Sequence, residues 1–357
     1  MYADDINLLC CPVTAEPLEL SNSVTDEDGE IISGELRSVP SGNLYPIRNG
    51  IPRFVELTSY NSSWDYKWTE IDQGKGLNYK TLDKNDVAYR THDLFDRNDH
   101  NGRAYRHAEG KLALDAGCGV GQCTIKLLLE HGPAKVVSLD LTRGVDMFRK
   151  IMLERYPQFR RRILMVQSSI FQMPFRDETF DYAFSMGVMQ HTGDTRKALT
   201  QIAKALKVGG EINFWIYGAV SVHIDNVETG RKVPMTLGGF VPYFFFYLWA
   251  MFQIRMFRKL PHRFAVIVIK MFSSDLWYRL CSLPVVGLLF RGIFATVMHP
   301  DRDYRYINNY DGWCNSWAET WTEPEIFPTV RECNIVILGI CEWEIGIWGE
   351  KKLGFYH

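Results

Sequence analysis

Between residues 108 and 217, short apolar runs alternate with longer stretches of mixed polarity. Lys111-Leu112-Ala113-Leu114 is the first run and Lys135 to Leu139 the second. Ile163 to Gln167, Phe180 to Ser185 and Glu211 to Tyr217 follow. Near-continuous apolar runs of this kind predict strands covered on both faces. Cys123 to Glu130 carries an apolar-rich pattern that suits a helix. Arg196 to Leu206 is amphipathic and is read as a helix closed by Gly209-Gly210. Strands alternating with helices predict an α/β fold built on a parallel, doubly wound sheet. Thr322-Glu323-Pro324-Glu325 predicts a further helix, with Thr322 as N-cap and Pro324 in the first turn. Ile335 to Glu342 and Glu344 to Lys352 then read as an antiparallel closing pair.

The flanks have a different character. In residues 1–60, short apolar runs bounded by Gly, Pro, Asn and Ser predict a small β-rich module, with a turn at Asp26-Glu27-Asp28-Gly29. This stretch carries ten acids against Arg37, Arg48 and Arg53. Residues 240–298 are the reverse, with seven bases against Asp275 alone and fifteen aromatic residues. Two shifts of this size mark an appended module and a later insertion. The whole chain of 357 residues has Lys+Arg 40 against Asp+Glu 42, so it exerts no global attraction on nucleic acid. The first residues have neither a basic region nor an apolar run, and the eight scattered cysteines fit free thiols. A cytoplasmic protein is the expectation.

Candidate chemistry centres on Asp115-Ala116-Gly117-Cys118-Gly119-Val120-Gly121 after the first strand. Three glycines at alternate positions allow a tight turn and close approach of a ligand to the backbone. The spacing is not that of the dinucleotide fingerprint. Asp140 ends the second strand, where a carboxylate can accept both hydroxyls of a ribose.

Leu114 to Gly121 resembles motif I of the class I S-adenosylmethionine-dependent methyltransferases, of the methyltransferase type 11 kind. Asp140, Gln172-Met173-Pro174-Phe175, Phe180-Asp181, Gly187 to Thr192 and Leu206-Lys207-Val208-Gly209-Gly210 agree with that family in order and spacing. The resemblance covers roughly residues 105–217 plus the C-terminal end. It implies a Rossmann-like seven-stranded sheet and S-adenosyl-L-methionine as cofactor. It places the backbone at Ala116, Gly117, Gly119 and Gly121 against the methionine part. Asp115 steadies that loop or meets the cofactor amino group. Asp140 takes the ribose hydroxyls and Leu141 packs on the adenine. Ser169 and Ile170 stand where the family often has Asp and an apolar residue. Ser185 and Met186 line the sulfonium side. His191, just past the fourth strand, is the candidate general base, with a structural role in the following loop as the alternative.

Residues 1–60 resemble the short Trm112-like, zinc-ribbon-derived module that precedes some methyltransferase domains. Cys10-Cys11-Pro12, Pro17-Leu18 and Tyr45-Pro46 to Pro52 carry that likeness. Thr14 stands where the second Cys of a Cys-x-x-Cys would be, so the module is read as degenerate and metal-free. Residues 61–107 are then expected to be helical and to cover the cofactor, 108–217 to bind it, and 321–357 to complete the core. The insertion, 218–320, is expected to be a helical and aromatic cap holding the acceptor, with Tyr304, Tyr310, Asp311 and Trp313 as candidate contacts beside His191. Within it, Phe240 to Phe252 is too short to span a membrane. A buried cap, a peripheral membrane surface and a homodimer interface are the three readings of 240–298. The expected activity is methyl transfer to N or O of a small molecule, as a biosynthetic tailoring step. Methylation of a lipid or membrane-associated acceptor, and a non-catalytic docking role, are the alternatives.

Overall fold

The computed structural model describes residues 1–55, 66, 98–100, 102–218, 223–226, 231–234, 252, 256–257, 260, 262–283, 287, 290, 294, 298, 300–303, 305–306, 309–310, 319–341 and 345–354. After a 3-10 turn at Ala3–Leu8 come β1 (Leu18–Thr25), β2 (Ile31–Ser38), β3 (Leu44–Arg48) and β4 (Ile51–Pro52). They form one antiparallel sheet in chain order. The turn expected at Asp26 is present: its carboxylate accepts from the N–H groups of Asp28 and Glu30, and Gly29 supplies a left-handed φ of 76°.

The alternating region yields β5 (Leu112–Ala116), α1 (Gln122–Glu130), β6 (Lys135–Asp140), α2 (Gly144–Arg155), β7 (Ile163–Gln167), β8 (Phe180–Met186), α3 (Thr195–Ala205) and β9 (Leu206–Ile216). Asp194 caps α3 by accepting from Lys197 N–H at 2.9 Å. The expected stop at Gly209-Gly210 is not a helix cap. The chain turns extended at Leu206, and both glycines lie inside β9, where Gly209 has φ 79° and the pairing with β8 shifts register. There follow β10 (His223–Asn226), β11 (Arg231–Pro234), α4 (His262–Phe272) and α5 (Asp275–Cys281). The chain ends with α6 (Glu323–Glu332), β12 (Ile335–Ile340) and β13 (Ile345–Lys351). The Glu325 carboxylate accepts from the Thr322 N–H and hydroxyl at 2.8 and 2.7 Å, which fixes the start of α6 where the sequence predicts it.

The large sheet runs β12-β13-β9-β8-β5-β6-β7. β13 runs antiparallel to both β12 and β9; β9, β8, β5, β6 and β7 are mutually parallel. Leu114, Val137, Leu164, Ala183, Phe214 and Ile347 are buried along it, as a sheet covered on both faces requires. This is the Rossmann-like seven-stranded architecture. The chain divides into two compact units. One comprises Met1–Asn61, Val87–Ala219 and Glu319–His357, the other Ser62–Asp86 and Val220–Ala318. The segment 61–107, expected as one covering element, is divided between them.

The N-terminal sheet is integral to the first unit. Beyond β4, Arg53 bridges to Gln167 in parallel sense, and Phe54 N–H donates to the Gln167 carbonyl at 2.8 Å, so the chain extends the large sheet at β7. Arg53 also pairs with Asp146 of α2 at 2.5 Å. Buried Glu30 is held by Arg149 of α2 at 2.6 Å, by Arg160, and by the Met1 amine at 2.9 Å. Arg160 reaches Asp26 and Asp28 as well. Burial pushes the Glu30 carboxyl up, but the hydrogen bond and charge of Arg149 and the Met1 ammonium prevail and hold it at about 2.

Glu30→Gln is therefore expected to lower the unfolding free energy at neutral pH by about 3 kcal/mol, the loss when one side of a buried ion pair is removed. A depressed carboxylate stabilises the fold above its unfolded-state pKa and stops doing so as pH falls through its folded one. The gap between the two proteins should thus close as pH drops through about 4 towards about 2. Urea denaturation across that range tests it; equal stability at neutral pH would refute the role of Glu30.

Candidate active site

The turn between β5 and α1 is bonded to the end of β6. Gly117 and Cys118 N–H both donate to the Leu139 carbonyl, at 2.7 and 2.9 Å. Gly119 N–H donates to one Asp140 carboxylate oxygen at 2.7 Å, and the other oxygen accepts from the Thr142 N–H and hydroxyl at 2.8 and 2.7 Å. One carboxylate thus joins the glycine turn to the segment that starts α2. The glycines are required by φ and by space. At Gly117 (φ 97°) a Cβ would lie 2.3 Å from Val188, and at Gly121 (φ 81°) 2.1 Å from Phe148.

Asp115 faces the interior. Its carboxylate accepts from the Thr124 hydroxyl at 2.6 Å, and Thr124 is 2.8 Å from the Ser138 hydroxyl. Burial pushes it up to about 7; Thr124 pulls it down and the neighbouring Asp140 pushes it up. Of its two expected roles, this geometry corresponds to steadying the loop.

Past β8, Gly187 adopts φ 69° and Val188 packs on the glycine turn. Met189–His191 forms a 3-10 turn, which brings the His191 segment beside motif residues far from it in sequence. The His191 ring is buried and meets Tyr217 edge-on, centroids 5.1 Å apart. Gln190 is 0% exposed, and neither atom of its amide has a hydrogen-bond partner. The returning chain straps this corner down. Glu319 N–H donates to the Gln190 carbonyl at 2.9 Å, and the Glu319 carboxylate accepts from the Thr195 hydroxyl at 2.5 Å. Trp321 N–H donates to the Tyr217 carbonyl at 2.9 Å, and its indole to the Thr195 hydroxyl at 3.1 Å.

The other expected contacts divide. Leu141 is half-buried just past Asp140, and its carbonyl accepts from the Gln167 amide at 3.1 Å. Ser169 caps the short Ile170–Gln172 turn, accepting from Phe171 N–H at 3.2 Å, with Ile170 buried beside it. Ser185 does not present its hydroxyl to an open site: it is fully buried and donates to the Ala116 carbonyl at 2.8 Å, tying β8 to β5. Met186 turns its sulfur to the Asn98 amide and the Tyr105 hydroxyl, at 3.5 and 3.6 Å. Tyr310 is buried in the second unit, packed on Tyr66 and Tyr306. Tyr304, Asp311 and Trp313 lie outside the described residues. Sequence reasoning missed Thr142, Val188, Gln190, Glu319 and Trp321. Only Thr142 carries a local signal, a hydroxyl two residues after an acid.

In the N-terminal sheet, Thr14, at the expected zinc-ligand position, takes part in a hydrogen-bond set around Cys11 with Tyr45 (3.1 Å) and Asn43 (3.5 Å). Burial pushes the Cys11 thiol up, but these hydrogen bonds bring it down to about 6. Among the described residues, no three His, Cys, Asp or Glu side chains gather as metal ligands would.

These residues fit the implied cofactor. An adenosine with a methionine arm needs an acceptor for its ribose hydroxyls, a surface without Cβ atoms against its arm, and an acceptor for its ammonium. Asp140, at the end of β6, would be the first, and the turn bent by the positive φ of Gly117 and Gly119 would offer the second. The loop N–H groups of Gly117, Cys118, Gly119 and Gly121 are bonded within the protein.

Residues 114–214 match the methyltransferase domain family. Phosphoethanolamine N-methyltransferase 2 of Caenorhabditis elegans is 32% identical over 109 residues, 30% of this chain and 24% of that one. The demethylmenaquinone methyltransferase of Bacillus licheniformis is 29% identical over 105 residues, 29% of this chain and 44% of that one. The chain thus spans less than half the length of these relatives. Among solved structures, the complex of the Haloferax volcanii Trm112 methyltransferase activator with a methyltransferase is 18% identical, with a TM-score of 0.34 over 52% of this chain and 76% of that one. A Bordetella parapertussis protein is 11% identical, with a TM-score of 0.44 over 81% of this chain and 86% of that one. Within the span that the family model matches, the chain is a class I S-adenosylmethionine-dependent methyltransferase domain.

Proposed function

We propose that the protein transfers a methyl group from S-adenosylmethionine to an oxygen or nitrogen of a small-molecule acceptor, as a biosynthetic tailoring step. The observation that carries this reading is the Asp140 joint. A single carboxylate fixes the glycine turn at Gly119 and would accept from the ribose of a bound cofactor. Matched relatives named for phosphoethanolamine N-methylation, demethylmenaquinone methylation and O-methylation support this reading. S-adenosylmethionine, when bound, supplies an electrophilic methyl group on a cationic sulfur, with the leaving group already in place.

The chain's part is then alignment, exclusion of water and handling of one proton. Asp140 orients the ribose, which fixes the methyl direction through the rest of the ligand. Val188, packed on the glycine turn, carries the 189–191 turn to the same edge of the sheet. His191 there takes the proton of a hydroxyl or ammonium acceptor. Gln190 adds a buried amide whose donor and acceptor have no partner in the protein. An orphaned buried amide destabilises a fold, so it persists where a ligand completes it.

Asp140→Ala is expected to weaken S-adenosylmethionine binding by about 1.5–3 kcal/mol, roughly tenfold to a hundredfold in Kd. Calorimetric titration checks it, and an unchanged Kd would remove the ribose assignment. No heat with the unmodified protein would refute the enzymatic reading altogether.

His191→Asn is expected to lower turnover by roughly 10²–10⁴-fold with the cofactor Kd intact, and the deficit should shrink as pH rises for an acceptor that ionises by itself. The measurement is tritiated-methyl transfer to hydroxyl and amine acceptors across pH, beside a melting curve. A stable variant with near-normal turnover at every pH would eliminate the base. Gln190→Leu should do the opposite to stability and turnover: the melting temperature rises or holds, because the orphaned amide is gone, while KM for the acceptor climbs. A variant that melts lower with unchanged KM would make Gln190 a packing residue.

A further inference from the structure

Helices α4 and α5 bury one face and expose another. On α4, Ala265, Val266 and Ile269 are buried, whereas Phe264, Ile267 and Met271 are 55%, 61% and 57% exposed. Those three recur at i, i+3 and i+7, so they lie on one stripe opposite the buried side. Leu260, four residues before Phe264, is exposed too. On α5, Leu276 is 69% exposed, and Leu283, just beyond the end of the helix, is exposed too. Single exposed apolar residues are ordinary, but an aligned series of this size marks a surface that meets something apolar.

The charge beside the stripe says what that is. Arg263, Lys270 and Arg279 are exposed, and Arg263 and Lys270 flank the same side of the α4 stripe at helical spacing. The sole acid between residues 262 and 283 is Asp275, which Arg305 holds at 2.6 Å. A second copy docked through this face by a two-fold axis would set one cationic rim against the other. An anionic lipid surface answers both features. The apolar side chains enter the headgroup–acyl boundary while guanidinium and ammonium groups stay at headgroup level. Among the described residues no helix is long and apolar enough to cross a membrane, so these helices would lie in the interface plane.

We propose that the exposed face of α4 and α5 docks the protein on the surface of an anionic lipid bilayer. This is a binding surface in addition to the methyl-transfer site, and its test does not read methyl transfer. The full chain is floated with vesicles of phosphatidylcholine containing phosphatidylglycerol, and with pure phosphatidylcholine. It is expected to float with the anionic vesicles, and to be released as salt rises. Ile267→Ser with Met271→Ser should weaken partition by about tenfold or more, because two large apolar side chains leave the boundary. Arg263→Gln with Arg279→Gln should weaken it by about fivefold for each cation removed. Both pairs change exposed side chains, so both should keep the unmodified melting curve; the arginine pair decides the matter should the serine pair unfold. Absence of flotation, or equal flotation with both vesicle types, overturns the proposal. A dimer in sedimentation that Ile267→Ser with Met271→Ser dissociates, with no vesicle binding, assigns the face to a second copy and overturns it equally.

Discussion

The Asp140 carboxylate is the joint on which the candidate site depends. It sits at the C-terminal end of β6, accepts the Gly119 N–H from one side and the Thr142 N–H and hydroxyl from the other. Without it, the Gly119 amide and the start of the α2 segment would each lose a partner in a half-buried setting, where an unsatisfied donor costs about 1–3 kcal/mol. The parallel sheet makes such a joint possible: parallel pairing brings the ends of β5, β6 and β8 to one edge, the edge at which open parallel sheets bind ligands. Space there is so restricted that Gly117 and Gly121 touch Val188 and Phe148 with no room for a methyl group. The turn is therefore set by crowding from two directions as well as by its hydrogen bonds, and a cofactor would meet a surface already formed.

The N-terminal sheet solves a different problem. In a seven-stranded sheet β7 would be an open edge, a row of unpaired N–H and C=O groups. Arg53 and Phe54 pair with Gln167 at its C-terminal end, and all of β7 is buried. Charges then fix the module in place: Glu30 with Arg149, Arg160 with Asp26 and Asp28, Arg53 with Asp146. The acidic excess of residues 1–60, which in the sequence looks like a property of a separate module, faces basic groups of the core it covers. Desolvated charges are tolerated because nearly every one has a partner.

The sheet was largely legible in the sequence because its signal is local. A strand buried on both faces must be apolar throughout, and Thr322 with Glu325 states a helix start in four residues. Leu206 to Gly210 misled because a glycine pair after an amphipathic run signals a helix stop, yet β9 continues through it by shifting register against β8. The ion network was not legible at all. Glu30 and Arg149 are far apart in the chain, and nothing near either residue names the other. The same holds for Glu319 and Trp321 against Thr195. Of the candidate site, the glycine turn and Asp140 were readable from spacing, whereas Gln190 was not, because a residue orphaned in the folded chain has no signature in an unfolded one.

Two carboxylates near one turn illustrate how environment divides roles that sequence assigns alike. Asp115 and Asp140 each end a strand of the same parallel pair, and both are acidic residues beside the glycine turn. Asp115 is enclosed with Thr124 and Ser138, and burial lifts it to about 7, so near neutrality a proton can remain on it without disturbing its neighbours. Asp140 is only half-buried and takes its hydrogen bonds from main-chain N–H groups and one hydroxyl. The interior group holds β5 to α1 through Thr124, and the outer group joins β6 to the glycine turn. The two acids of one motif are thus set apart by their solvation, not by residue type.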